Sequence, residues 1–172
     1  MRVMWESMSF CMEKLGKLYP GLHSDKDRFN SAFGNTKFIH LERQDKVAQA
    51  VSRLRAEQSG LWHIHPDGSE RERLSEKKEP IYTECLIDEF IEESEQHHGE
   101  WRTWFTRNAV EPLELSYEDL AANPLLMLRR VLEYLSLDTS AVDRIQPRTA
   151  KLADTRSREW MDRYRLEKGV DG

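Results

Sequence analysis

Most apolar residues of this chain fall in helical register. Met4, Met8, Cys11, Leu15 and Leu18 form one helical stripe, which Pro20-Gly21 ends; no capping residue precedes it. Ser24-Asp25 open a short helix through Phe29 and Phe33, closed by Gly34-Asn35. Residues 37–41, Lys-Phe-Ile-His-Leu, are short, mostly apolar and bounded by turn residues, the pattern of a buried strand. The strand runs through Glu42-Arg43-Gln44 into a helix capped by Asp45, with Val47, Val51, Leu54 and Leu61 on one face. Residues 63–80 are charged and nearly devoid of apolar side chains, which predicts a surface loop. Ile87, Ile91, Ser94, His98, Trp101 and Phe105 mark a long helix, its face widened by Leu86 and Phe90. Residues 112–116 alternate as a second strand. Asn123 then caps a helix with Pro124 at its first position, burying Leu128, Val131, Leu132 and Leu135. A polar loop, Gln146 to Asp154, leads to a last helix from Ser157 with Trp160 and Tyr164 inward. The pattern predicts one helix-rich α/β domain over residues 1–172, with too few strands for a complete sheet.

Composition narrows the function classes. Of 172 residues 33% are charged, with 26 Lys+Arg against 31 Asp+Glu, a formal charge of −5. That acidity argues against general nucleic-acid binding but leaves room for a local basic pocket. Five Trp, six Phe and five Tyr supply core pieces that a disordered chain lacks. The longest apolar run, residues 125–128, is broken by Arg129-Arg130, far short of a membrane span. The opening residues lack a signal-peptide apolar stretch, which gives the expectation of a cytoplasmic protein. Cys11 and Cys85 are too isolated for a disulfide framework or a zinc site.

The strand-to-helix junction is the main candidate for chemistry. The exit of a parallel strand and the start of the next helix present unpaired backbone N–H groups, and the helix dipole favours an anion there. Arg43 adds a planar, permanently charged donor fork suited to phosphate. Ser52 lies two helical turns beyond Asp45. The competing reading is a surface arginine paired with Asp45 or Glu42.

Other candidates carry less. Gly16 and Gly21 have the separation of a nucleotide loop, but Leu22-His23 stands where Lys-Ser/Thr is needed. His63, His65, His97 and His98 lack the spacing of a zinc site, since adjacent helical histidines point about 100° apart. Asp88, Glu89, Glu92, Glu93 and Glu95 mark a solvated helix face, and Trp101, Trp104 and Phe105 read as core. Tyr117-Glu118-Asp119 reads as acidic residues at a helix start, which is stabilising.

Taken together, several strings resemble the bacterial trehalose 2-sulfotransferase family and its lipopolysaccharide sulfotransferase-like relatives. These are Asp45-Lys-Val-Ala-Gln-Ala-Val-Ser52, Arg55 to Trp62, Trp101-x-x-Trp-Phe105, Leu115-Ser-Tyr-Glu-Asp-Leu120 with Asn123-Pro124, and Leu152-Ala-Asp154 followed by Glu159-Trp160 and Arg163. The resemblance implies a P-loop-like α/β fold and 3′-phosphoadenosine 5′-phosphosulfate (PAPS) as sulfate donor, with no metal. A sugar or glycolipid hydroxyl would attack sulfur in line, releasing adenosine 3′,5′-bisphosphate. By position, Arg43 and Ser52 correspond to the arginine and serine that hold the 3′-phosphate. Lys151 falls where the family has a basic residue near the nucleotide, and Arg148 is a weaker companion.

The resemblance also has a gap. The family's 5′-phosphosulfate loop follows an early strand, and nothing before Lys37 has that form, so no catalytic residue is assigned. The chain is expected to be the C-terminal portion of such a domain, N-terminally truncated, with a partial sheet and weak or no turnover. The alternative is a non-catalytic nucleotide-binding or partner-binding module. Family members dimerise, which makes a homodimer an expectation as well.

Overall fold

The computed structural model describes residues 1–65, 67–145 and 155–170. Among the described residues seven α-helices and four short strands follow in the order α1 (Trp5–Leu18), α2 (Asp25–Phe33), β1 (Ile39–Glu42), α3 (Lys46–Ser59), β2 (Leu61–Ile64), β3 (Glu70–Arg73), α4 (Glu84–Arg107), β4 (Leu113–Ser116), α5 (Tyr117–Ala122), α6 (Pro124–Leu135) and α7 (Thr155–Lys168), with a short 3-10 turn over Val142–Arg144. β1 and β4 pair in parallel, Ile39 opposite Leu113 and Glu42 opposite Ser116. β2 and β3 form a separate antiparallel hairpin. The helix-rich α/β expectation holds.

α4 is the spine. Its 24 residues span about 36 Å, long enough to carry two cores. Toward its start, Ile87 and Phe90 pack with Ala50, Val51 and Leu54 of α3 and Tyr164 of α7. Toward its end, Trp104 and Phe105 pack with Met8 and Leu15 of α1, Phe29 of α2 and Val110. The end of α4 also caps the start of α2. The Trp104 indole N–H donates to Asp25 at 2.9 Å, and the Asn108 side-chain oxygen accepts from the Asp25 and Lys26 amides at 3.2 and 3.4 Å.

α7 has no strong apolar stripe and is clamped to α4 by charge. Lys168 reaches Glu84 and Asp88, both at 2.8 Å. The Tyr164 hydroxyl donates to Asp88 at 2.6 Å. Burial, then that carboxylate, push the Tyr164 phenol up to about 12.

Three segments differ from the sequence pattern. α3 stops at Ser59, because Gly60 takes a left-handed conformation (φ 72°) and closes the helix through its N–H to Ala56, so Leu61 begins β2. The expected loop at 63–80 contains the hairpin. Its outer strand, Glu-Arg-Glu-Arg, is polar on both faces and carries no alternation signal; backbone bonds hold its ends, Leu74 to Gly60 and His65 to Ser69, each 2.8 Å. α6 buries Met127 fully and leaves Leu128, Val131, Leu132 and Leu135 half-buried, because a two-stranded sheet offers it little to cover.

A Cβ at Gly60 would meet the Ser75 carbonyl at 2.7 Å and its amide nitrogen at 2.9 Å. Gly60→Ala should therefore cost about 2 kcal/mol or more, the backbone conformation alone accounting for about 1–2 kcal/mol. Urea unfolding measures it; an unchanged midpoint would mean that the turn is not as tight as described.

Candidate functional site

The in-register pairing of β1 and β4 brings two strand exits to one level. β1 leaves through Arg43, Gln44 and Asp45 into α3. β4 leaves through Ser116, whose hydroxyl caps α5 by accepting from the Asp119 amide at 2.9 Å. Tyr117 and Glu118, on the first turn of α5, therefore face the β1–α3 turn.

Two N–H groups of the turn are filled from inside the protein. The Glu118 carboxylate accepts from Gln44 N–H at 3.2 Å and Asp45 N–H at 3.3 Å. Asp45 in turn caps α3, accepting from Ala48 N–H at 2.8 Å, and its other oxygen accepts from Arg165 of α7 at 2.9 Å. For the Gln44 and Asp45 amides the expectation of an external anion is thus corrected: Glu118, a carboxylate 73 residues from Asp45, is already the anion there.

Arg43 is what remains. Its guanidinium carbon lies 4.5 Å from the centre of the Tyr117 ring, a cation–π stack. The Arg43 Nε is buried without a hydrogen-bond partner. The two carboxylates that could have paired with it are engaged elsewhere, Asp45 with Arg165 and Glu42 with Lys46 at 3.1 Å. Among the described residues no carboxylate lies within ion-pair distance of Arg43. A half-buried guanidinium held flat by a ring and left unpaired is suited to a phosphate.

Ser52 sits on α3 about 10 Å along the axis from Asp45, exposed and without a hydrogen-bond partner among the described residues. Lys151 and Arg148 lie outside the described residues. The sequence reading missed the roles of Tyr117 and Glu118, taken as plain helix-start residues. The signal that could have found them is the pairing of the two strands, which sets their exits side by side.

A cleft of about 290 Å³ opens at the same end of the sheet, lined by Glu42, Gln44, Glu114, Leu115, Ser116, Asp119 and Arg130. The adjacent histidines of α4 point apart as expected: His97 Nδ1 lies 3.7 Å from Glu6 of α1, and His98 Nδ1 lies 3.1 Å from Glu42 of β1. Glu6, Glu93 and His97 bring three possible metal-ligand atoms within 4.8 Å of one another, but Glu93 is bonded to Arg53 at 2.6 Å. His63 meets Glu72 across the hairpin at 3.4 Å.

Burial works to raise the Glu118 pKa, but the amides of Gln44, Glu118 itself and Asp45, with the nearby Arg43 charge, outweigh it and hold the carboxyl below its usual value. A carboxyl depressed in the folded state contributes stability that is complete above its unfolded pKa, near 4.3, and is lost as pH falls through the folded value. The protein should lose stability below about pH 4.3, and Glu118→Gln should lose less over the same interval. Thermal melts from pH 6 to pH 3 test this; parallel curves for the two proteins would remove Glu118 from the account.

The chain matches the family described as Stf0 sulphotransferase over residues 1–167. It is 29% identical over 169 residues to a trehalose 2-sulfotransferase of Mycobacterium tuberculosis, covering 96% of this chain and 60% of that protein. It is 35% identical over 134 residues to a trehalose 2-sulfotransferase of Mycolicibacterium smegmatis, covering 78% of this chain and 47% of that protein. The chain thus spans about half to three fifths of the length of these relatives. With the match running along nearly its whole length, the chain belongs to the Stf0 sulphotransferase family.

Proposed function

We propose that this chain forms the nucleotide 3′-phosphate side of a P-loop-like sulfotransferase that uses PAPS and sulfates a hydroxyl of trehalose or a related glycolipid. The observation that carries the reading is Arg43, stacked on Tyr117 with its Nε unpaired while the neighbouring carboxylates are engaged elsewhere. The trehalose 2-sulfotransferase relatives support the sugar acceptor.

In this reading each residue has a separate task. Arg43 binds the 3′-phosphate through its guanidinium edge, and Ser52 donates its hydroxyl to the same group. Lys151 supplies a further cation near the nucleotide. Tyr117 keeps the guanidinium plane fixed, and Glu118 holds the turn that carries it. PAPS supplies the sulfuryl group, which passes to the acceptor oxygen while the hydroxyl proton goes to a base and adenosine 3′,5′-bisphosphate leaves. Such transfer needs donors aimed at the moving group's oxygens and a base at the acceptor hydroxyl, and no residue of these 172 is assigned to either task. The chain alone is therefore expected to bind nucleotide with weak or no turnover. No metal enters the scheme.

A second reading is favoured by the sheet. Ile39 and Leu41 of β1 are 39% and 49% exposed, an apolar strand surface left uncovered. That suits a nucleotide-binding or partner-binding module, and a homodimer is the simplest partner. Among the described residues no helix is long and apolar enough to cross a membrane. A cytoplasmic location and the absence of a nucleic-acid partner belong to the same proposal.

Calorimetric titration with adenosine 3′,5′-bisphosphate tests the assignment. Arg43→Ala should weaken binding by about 1.5–3 kcal/mol, the scale of hydrogen bonds to charged groups. Adenosine 5′-monophosphate, which lacks the 3′-phosphate, should bind weakly and be indifferent to the substitution. Equal affinity of both proteins for the bisphosphate refutes the role of Arg43. Normal sulfate transfer by the 172-residue chain would refute the expectation of weak turnover.

A further inference from the structure

Behind the cleft lies a pair of stacked histidines. His40 of β1 is only 9% exposed, and its Nδ1 lies 2.7 Å from the Glu114 carboxylate of β4. The His98 ring of α4 stacks on it, with centroids 5.6 Å apart and planes inclined by 15°. The His98 Nδ1 is buried and faces the Glu42 carboxylate at 3.1 Å, yet it makes no aligned hydrogen bond. The same Glu42 oxygen accepts from Lys46, at the first position of α3, at 3.1 Å. Glu42 and Glu114 both line the cleft. Each acidic wall is thus backed by one imidazole, and one of those imidazoles has a nitrogen without a partner.

The groups around His98 come from each neighbouring element: Glu42 and His40 from β1, Lys46 from α3, Arg102 one turn along α4, and Glu114 of β4 behind His40. Burial lowers the pKa of the ring most, the Glu42 charge opposes this, and Lys46, His40 and Arg102 add to the lowering. The neutral ring is therefore the resting form, and its Nδ1 faces, without an aligned hydrogen bond, a carboxylate already shared with a lysine.

We propose that His98 is a proton sensor for the anion site. A proton from solvent, taken up by the His98 ring, leaves a charged N–H facing Glu42, turns the misaligned contact into a charge-assisted hydrogen bond and draws the carboxylate off Lys46. The Lys46 ammonium is then released at the start of α3, and the cleft beside Arg43 becomes less negative. The anion in question rests on the reading above, an adenosine 3′,5′-bisphosphate group. Its affinity rises as pH falls through the titration of His98, below the ordinary histidine value near 6.5. By linkage, binding the anion promotes proton uptake by the same ring.

Two measurements test this. Histidine ring resonances, followed by NMR against pH, should show His98 titrating below about 6.5. Lys46→Gln removes a repelling charge and should move that titration up; Glu42→Gln removes an attracting one and should move it down. Calorimetry then compares bisphosphate binding by the wild-type protein and His98→Gln at pH 8 and pH 5.5. The bisphosphate's own protonation, near pH 6, affects both proteins alike. The two should bind equally at pH 8, and the wild type should gain about fivefold over the variant at pH 5.5, the scale of one unit charge acting through partly screened surroundings.

A ring titration indifferent to both substitutions overturns the proposal, as does an affinity ratio that stays constant with pH. Absence of bisphosphate binding at any pH would instead overturn the nucleotide reading and the proposed control of anion affinity. The ring titrations in the Lys46 and Glu42 variants would then uphold or overturn the proton handover itself.

Discussion

The carboxylate of Glu118 holds the candidate site together. It bridges the amides of Gln44 and Asp45, and thereby ties the exit of β4 to the exit of β1. Two parallel strands of four residues each make a small sheet, and this bridge adds to the ladder bonds and the His40–Glu114 contact that join them. With the turn pinned from inside, the chain cannot use those amides for an external phosphate, so recognition shifts to the side chain of Arg43. Tyr117, one residue before the clamp, is positioned to stack on that side chain. One dipeptide therefore both occupies two amides of the usual anion site and positions the arginine side chain beside them.

The wider fold serves this arrangement through α4. The helix runs from the α3–α7 core to the α1–α2 core, so α3 is positioned by packing far from the strand exits. Aromatic contacts strengthen the second core, where Trp104 meets Phe29, Phe38, Trp101 and Phe105 with centroids 5.4–6.0 Å apart. α7 docks differently, with Tyr164 buried and its rim held by Lys168, Arg165 and the Tyr164 hydroxyl. That mixed attachment suits a helix whose sequence shows only a narrow apolar face.

How much of this could be read from the sequence depended on distance along the chain. The strand, its exit, the Asp45 cap and the arginine are local features, and periodicity with cap chemistry located them. The long helix and its buried aromatics were legible for the same reason. Glu118 and Tyr117 were not, because their partners lie 73 and 74 residues away and depend on the register of β1 against β4. The hairpin was hidden because Glu70–Arg73 buries no face, so nothing in its composition separates a strand from a loop. Gly60 could be seen as a glycine, but its left-handed role follows from Ser75 lying against it.

Asp45 has two partners that ask for different chemistry. The cap on α3 needs a short side chain with an acceptor oxygen, and the bond to Arg165 benefits from a full negative charge. Asparagine keeps the first and gives up the second; glutamate keeps the charge but loses the short reach. Each requirement alone tolerates several residues, and only aspartate meets both. The position is thus narrowed by the overlap of two ordinary demands, and a chain diverging here would have to move two helices in step to escape it.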